Sequence, residues 1–90
     1  MATKLVIAIV KDSDAFAVSD ALVEREFRMT RIASTGGFLR RGNVTLLIGV
    51  REERLEELFE VIEGHCASPE PGQHKATIFV LPAEDFLQLG

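Results

Sequence analysis

Lys4-Leu5-Val6-Ile7-Ala8-Ile9-Val10 is an almost unbroken aliphatic run, and Val44-Thr45-Leu46-Leu47-Ile48-Gly49-Val50 is a second of the same kind. Continuous apolar character over such a length, rather than alternation, predicts strands at the centre of a sheet with little water on either face. Each run is followed by a helical pattern. After the first, Asp12-Ser13-Asp14 offers N-cap oxygens and first-turn negative charge. Ala15, Val18, Ser19, Leu22 and Val23 then share one side of a helix running roughly from Asp14 to Glu26. After the second run, Arg51-Glu52-Glu53 opens a helix in which Leu55, Leu58, Phe59 and Ile62 recur at i, i+3, i+4 and i+7. Its glutamates (Glu53, Glu56, Glu57, Glu60, Glu63) read as a solvated face, and Gly64 ends it.

Two further strands complete the pattern. Arg28 to Ala33 alternates poorly, with Arg28 and Arg31 on opposite faces, so it belongs at a sheet edge or against a neighbouring subunit. Ala76 to Leu81 is a β-branched and aromatic run that Pro82 stops. A Pro/Gly turn region, Ala67 to His74, precedes it, and Ala83 to Leu89 reads as a short terminal helical turn. Gly49 inside a strand marks either a bulge, the commoner case, or a close approach to the backbone. The order is β-α-β-β-α-β. Right-handed crossovers turn that order into an α+β, ferredoxin-like fold, a four-stranded antiparallel sheet with both helices on one face. Its central strands are the first and third, which here are the two most apolar runs. The face left uncovered on so small a chain predicts oligomers.

Composition narrows the function. Residues 1–90 are read as a single domain. A net charge of −4 argues against binding a nucleic-acid polymer, which calls for a dominant basic face. One cysteine cannot form an internal disulfide, which fits a reducing, cytoplasmic interior. The apolar N-terminal run is too short to cross a membrane and meets Lys11-Asp12 directly, so neither a membrane span nor a leader is expected.

Charge is also unevenly placed. All 14 Asp and Glu residues lie outside Phe27 to Arg51, while Arg28, Arg31, Arg40, Arg41 and Arg51 lie within it. The same window holds Ser34, Thr35, Gly36, Gly37, Phe38 and Leu39. Glycine-freed backbone N–H groups, hydroxyls and guanidinium groups are the materials of an anion site, and Phe38-Leu39 adds an apolar surface for a base. A Gly-Gly turn between arginines is often only a solvated connection, and the Lys-Ser/Thr ending of a P-loop is missing. Turn chemistry alone explains neither the charge segregation nor the aromatic, so a site for a small phosphorylated ligand, a nucleotide, is expected. Catalysis is not expected. Arg40, Arg41 and Asn43 are the residue types with which acylphosphatases activate water, but His65 and His74 lie far along the chain from Ser34 and Thr35. His65, Cys66 and His74 match no standard zinc spacing, so no metal and no cofactor is expected.

Several segments together resemble the cyclic di-AMP receptor family, which is similar to the nitrogen-regulatory P-II signalling proteins. They are Leu5-Val-Ile-Ala-Ile-Val, Phe27-Arg-Met-Thr-Arg, Ala33-Ser-Thr-Gly-Gly-Phe-Leu-Arg-Arg-Gly-Asn, Thr45-Leu-Leu-Ile-Gly-Val and Ala76-Thr-Ile-Phe-Val-Leu. The resemblance implies a homotrimer of ferredoxin-like subunits that holds cyclic di-AMP in clefts between neighbours and signals to an effector protein. It implies that Arg28 and Thr30 line the start of the site. Gly37, Phe38 and Leu39 would wrap the ligand, with Phe38 and Leu39 against an adenine. Asn43 would hydrogen-bond the nucleotide, and Gly49 would admit it to the strand. The chain departs from the family in the short Ala67 to His74 connection, where the family usually carries a long loop. That departure keeps a second reading open: a P-II-like module for another adenine nucleotide or metabolite.

Overall fold

The computed structural model describes residues 2–32, 42–67 and 76–83. Strand β1 (Thr3–Lys11) runs into helix α1 (Asp12–Glu24), followed by β2 (Arg28–Ile32) and β3 (Asn43–Arg51). A single 3-10 turn (Glu52–Arg54) then leads into α2 (Leu55–Gly64), and β4 (Ala76–Pro82) closes the set. The four strands form one antiparallel sheet in the order β2-β3-β1-β4. That is the ferredoxin-like arrangement. The two aliphatic runs occupy the centre, and the arginine-bearing strand β2 is at an edge.

Strand parity divides the sheet. Val6, Ala8 and Val10 of β1 and Val44, Leu46, Ile48 and Val50 of β3 point to the helices and are buried. They pack with Ala15, Val18, Ala21 and Leu22 of α1 and Leu58, Val61 and Ile62 of α2 in one core. The α2 periodicity holds, with Val61 joining the buried stripe. Within α1 the stripe is rotated from the expected one. Asp14 and Ala21 are buried in it, whereas Val23 is exposed.

The expected cap at Asp12-Ser13-Asp14 does not form. Strand β1 enters the helix directly, Lys11 occupies the N-cap position, and no side chain caps it. Instead the Asp12 N–H donates to the Gly42 carbonyl at 2.6 Å. Gly42 has φ +87, a left-handed conformation that glycine adopts without steric cost. Asp14 turns inward and accepts from the Ala67 N–H at 3.3 Å. The end of α1 also lacks the glycine that would mark it. Glu26 takes the left-handed conformation at φ 63. The Phe27 N–H reaches the Leu22 carbonyl at 2.9 Å, and the Glu26 N–H reaches that of Val23 at 3.0 Å. This is a Schellman turn with its usual apolar contact, because Phe27 and Leu22 are both buried. The helix therefore ends two residues before the Glu26 boundary that the sequence pattern suggested.

Candidate functional site

The face of the sheet away from the helices carries the candidate site. Arg28, Thr30 and Ile32 of β2 lie opposite Gly49, Leu47 and Thr45 of β3. That parity puts all six on the uncovered side, next to Leu5, Ile7 and Ile9 of β1 and Phe79 and Leu81 of β4. Pairing of β3 with β1 runs without a slip through Gly49, and pairing with β2 reaches it in register. The bulge expected at Gly49 is therefore absent, and this glycine is a flat place in the strand between Arg28 and Leu5.

A groove of about 380 Å³ opens at that place. Arg28, Thr30, Leu47, Gly49 and Leu5 form its floor, and Val23, Phe27 and Met29 form its rim. Among the described residues the Arg28 guanidinium has no ion-pair partner, whereas Arg31 lies 3.7 Å from Asp12 and Arg51 lies 3.8 Å from Glu53. An exposed, unpaired guanidinium above an apolar floor suits a ligand that is anionic at one end and aromatic at the other.

Three of the residues implied by the family resemblance thus meet: Arg28, Thr30 and Gly49. Asn43 does not join them. It pairs with Lys11 at the far end of β3, and six residues of strand separate it from Gly49 by about 20 Å. The segment with Gly37, Phe38 and Leu39 lies outside the described residues. Its attachment points, Ile32 and Gly42, are both at the Asn43 end. Within one chain Arg28 and Asn43 therefore lie at opposite ends of β3. Leu5, Val23, Phe27, Met29 and Leu47 carry no sequence signal of their own that would mark them for a site. Cross-strand register, which composition does not reveal, brings Leu5 and Leu47 to Arg28, while Phe27 and Met29 flank it in sequence and Val23 reaches the groove from α1.

The rim of the groove is tied to the helical layer. Arg54 Nε and Nη2 donate to the two Glu57 carboxylate oxygens at 3.1 and 3.2 Å, and Nη2 donates to the Arg25 carbonyl at 2.9 Å. The guanidinium carbon sits 4.0 Å from the centre of the Phe27 ring. Hydrogen bonding from Arg54, outweighing the opposing effect of desolvation, holds the Glu57 carboxyl below the usual glutamate range, and the charges of Arg54 and Arg25 act in the same direction. Among the described residues no three His, Cys, Asp or Glu side chains are grouped to hold a metal ion. His65, placed beyond the end of α2, hydrogen-bonds through Nδ1 to the Val61 carbonyl at 2.8 Å, and His74 lies outside the described residues. No helix among the described residues is long and apolar enough to cross a membrane.

Fold and groove together describe a small α+β domain with an open groove at one sheet edge. The sequence profile of the cyclic-di-AMP receptor family matches residues 3–71. The chain belongs to that family. It is also similar to a crystal structure described as a functionally unknown protein from Pediococcus pentosaceus ATCC 25745. The two share 41% sequence identity, 99% of each chain is covered, and the TM-score is 0.82.

Proposed function

We propose that this chain is a cytoplasmic, P-II-like signalling receptor, a single domain over residues 1–90, that binds cyclic di-AMP between the subunits of a homotrimer. It relays the occupied state to an effector protein and does no chemistry on the ligand. The observation that carries the reading is Arg28. Its guanidinium is unpaired among the described residues and lines a mostly apolar groove, on an edge strand that carries no acid. Family membership supplies the identity of the ligand.

The geometry supports a shared site. A groove of about 380 Å³ is near the small end of the ~300–1,000 Å³ that ligand pockets span. Asn43 and the attachment points of the Phe38 segment are at the other end of β3 from Arg28. In the proposed cleft, Arg28 and Thr30 hold a phosphate, Gly49 leaves room against the strand, and Gly37, Phe38, Leu39 and Asn43 enclose and hydrogen-bond an adenine. The exposed apolar face, with Phe79, Leu81 and Ile32 between 41% and 51% exposed, packs against the neighbouring copies.

Calorimetric titration of the full chain with cyclic di-AMP, and separately with ATP, AMP and cyclic di-GMP, tests the proposal. Saturable heat with cyclic di-AMP at one ligand per chain is the expected result. Heat only with ATP or AMP selects the alternative reading, a P-II-like module for another adenine nucleotide. No heat with any of the four removes nucleotide binding altogether.

A further inference from the structure

The turn that delivers Arg28 to the groove is Arg25-Glu26-Phe27, and a single side chain from a distant part of the chain holds it on both sides. Arg54 donates to the Arg25 carbonyl on one side of Glu26 and covers the Phe27 ring on the other. Both Glu57 oxygens fix the plane of that guanidinium from α2, and Arg25 adds its own charge 3.7 Å from Glu57. Between the two held points, Glu26 sits in the left-handed region, which is unfavourable for a residue with a Cβ. A turn under that strain keeps its shape because its surroundings over-determine it. Exposed ion pairs contribute little to global stability taken one by one. Their effect here is local, because they orient one planar group that meets a carbonyl, a ring and a carboxylate at once. Lysine, a point charge on a flexible stem, cannot make that set of contacts.

Phe27 is the other link. It is buried, lines the groove rim, and directly precedes Arg28. We propose that Arg54 is a positioning residue for the ligand groove: it clamps the α1–β2 turn through Phe27 and thereby sets the direction in which Arg28 enters the site. The role rests on the nucleotide site proposed above. It also joins the groove to the start of α2, so ligand bound at Arg28 bears on the outer helical layer through the same guanidinium.

The test is a double-mutant cycle on cyclic di-AMP affinity, measured by calorimetry on folded protein well below each variant's unfolding midpoint. The proteins are wild type, Arg54→Ala, Arg54→Lys, Phe27→Leu and the Arg54→Ala/Phe27→Leu double variant. We expect Arg54→Ala to weaken binding about tenfold, and the double variant to bind no worse than about twofold beyond the weaker single variant, since coupled residues are non-additive. Arg54→Lys restores less than half of the loss in log affinity. Full rescue by lysine would reduce Arg54 to long-range attraction of phosphate, and additive losses would place it in direct contact with ligand; either result overturns the clamp. Wild-type binding with an unchanged Arg54→Ala affinity overturns the clamp alone. A wild type that gives no heat overturns the site itself and the clamp with it.

Discussion

The two faces of the sheet are built from similar residues and treated very differently. On one face Val6, Ala8, Leu46 and Ile48 are completely covered by α1 and α2. On the other, Leu5, Ile7, Ile9 and Leu47 lie half open and Phe79 remains 51% exposed. A monomer gains nothing from a second aliphatic face, and a large exposed apolar patch is a hazard unless something covers it. The difference teaches that the helical face accounts for the fold, which leaves the open face for the ligand and assembly roles proposed above. Arg28, unpaired among the described residues, lies on the open side, while the ion pairs of Arg31 and Arg54 belong to the helical side.

Adjacent residues give the sharpest way to break that contrast. Leu46 and Leu47 differ only in the face to which they point. Leu46→Ala leaves a cavity in the closed core and is expected to cost about 2–5 kcal/mol in chemical denaturation, whatever the protein concentration. Leu47→Ala should cost less in a dilute single chain, and its cost should grow with protein concentration as assembly adds to stability. Equal, concentration-independent losses would mean that the open face packs against nothing.

Ligand affinity should separate the faces next. Phe38→Ala is expected to weaken cyclic di-AMP binding by about 1–3 kcal/mol through lost stacking, and Arg28→Ala by about 1.5–3 kcal/mol through a lost charged hydrogen bond. Arg28 is exposed and lies outside the helical core, so the denaturation midpoint of the ligand-free Arg28→Ala chain should stay near that of wild type. An affinity unchanged in calorimetry would place the base, or the phosphate, elsewhere.

Much of this division is readable in the residues themselves. The aliphatic runs of β1 and β3 announce the central strands, and the mismatch of Arg28 with Arg31 announces an edge. The helical spacing from Leu55 to Ile62 announces α2. What cannot be read is whatever depends on register or on long-range contact. Strand parity, not any motif, sets Arg28 opposite Gly49 and sends Asn43 to the other end. The stop of α1 is hidden because a glutamate takes the place of a glycine. The Arg54 clamp spans from α2 to the α1–β2 turn and leaves no periodic trace. The Asp12-Ser13-Asp14 cap fails as an expectation because β1 runs straight into the helix, leaving no free turn for a side chain to close.

Two smaller effects refine the helical side. Glu26→Gly should remove the left-handed penalty of about 1–2 kcal/mol and restore about 0.5–1 kcal/mol of chain entropy to the unfolded state. A net stabilisation of up to about 1.5 kcal/mol in thermal unfolding follows from these two terms. Destabilisation would mean that the Glu26 side chain makes a contact worth more than its backbone strain. The smallest effect is electrostatic. Glu57 titrates lower in the folded chain than when unfolded, so its stabilising contribution is complete above the usual glutamate range and is lost as pH falls through the folded value. Wild type should therefore be slightly more stable than Glu57→Gln at neutral pH, with the difference closing in acid. A difference that widened in acid would reverse the sign of the Arg54–Glu57 interaction.

The most direct test of a shared nucleotide site uses a property of the composition. The chain has no Trp and no Tyr, so ultraviolet absorbance in the nucleotide band reports almost entirely on nucleotide, and its sedimentation separates bound from free. In sedimentation velocity with cyclic di-AMP, this absorbance is predicted to travel with a particle of three chains, one nucleotide to each. Absorbance left at the meniscus, or carried by a particle of one chain, would contradict it.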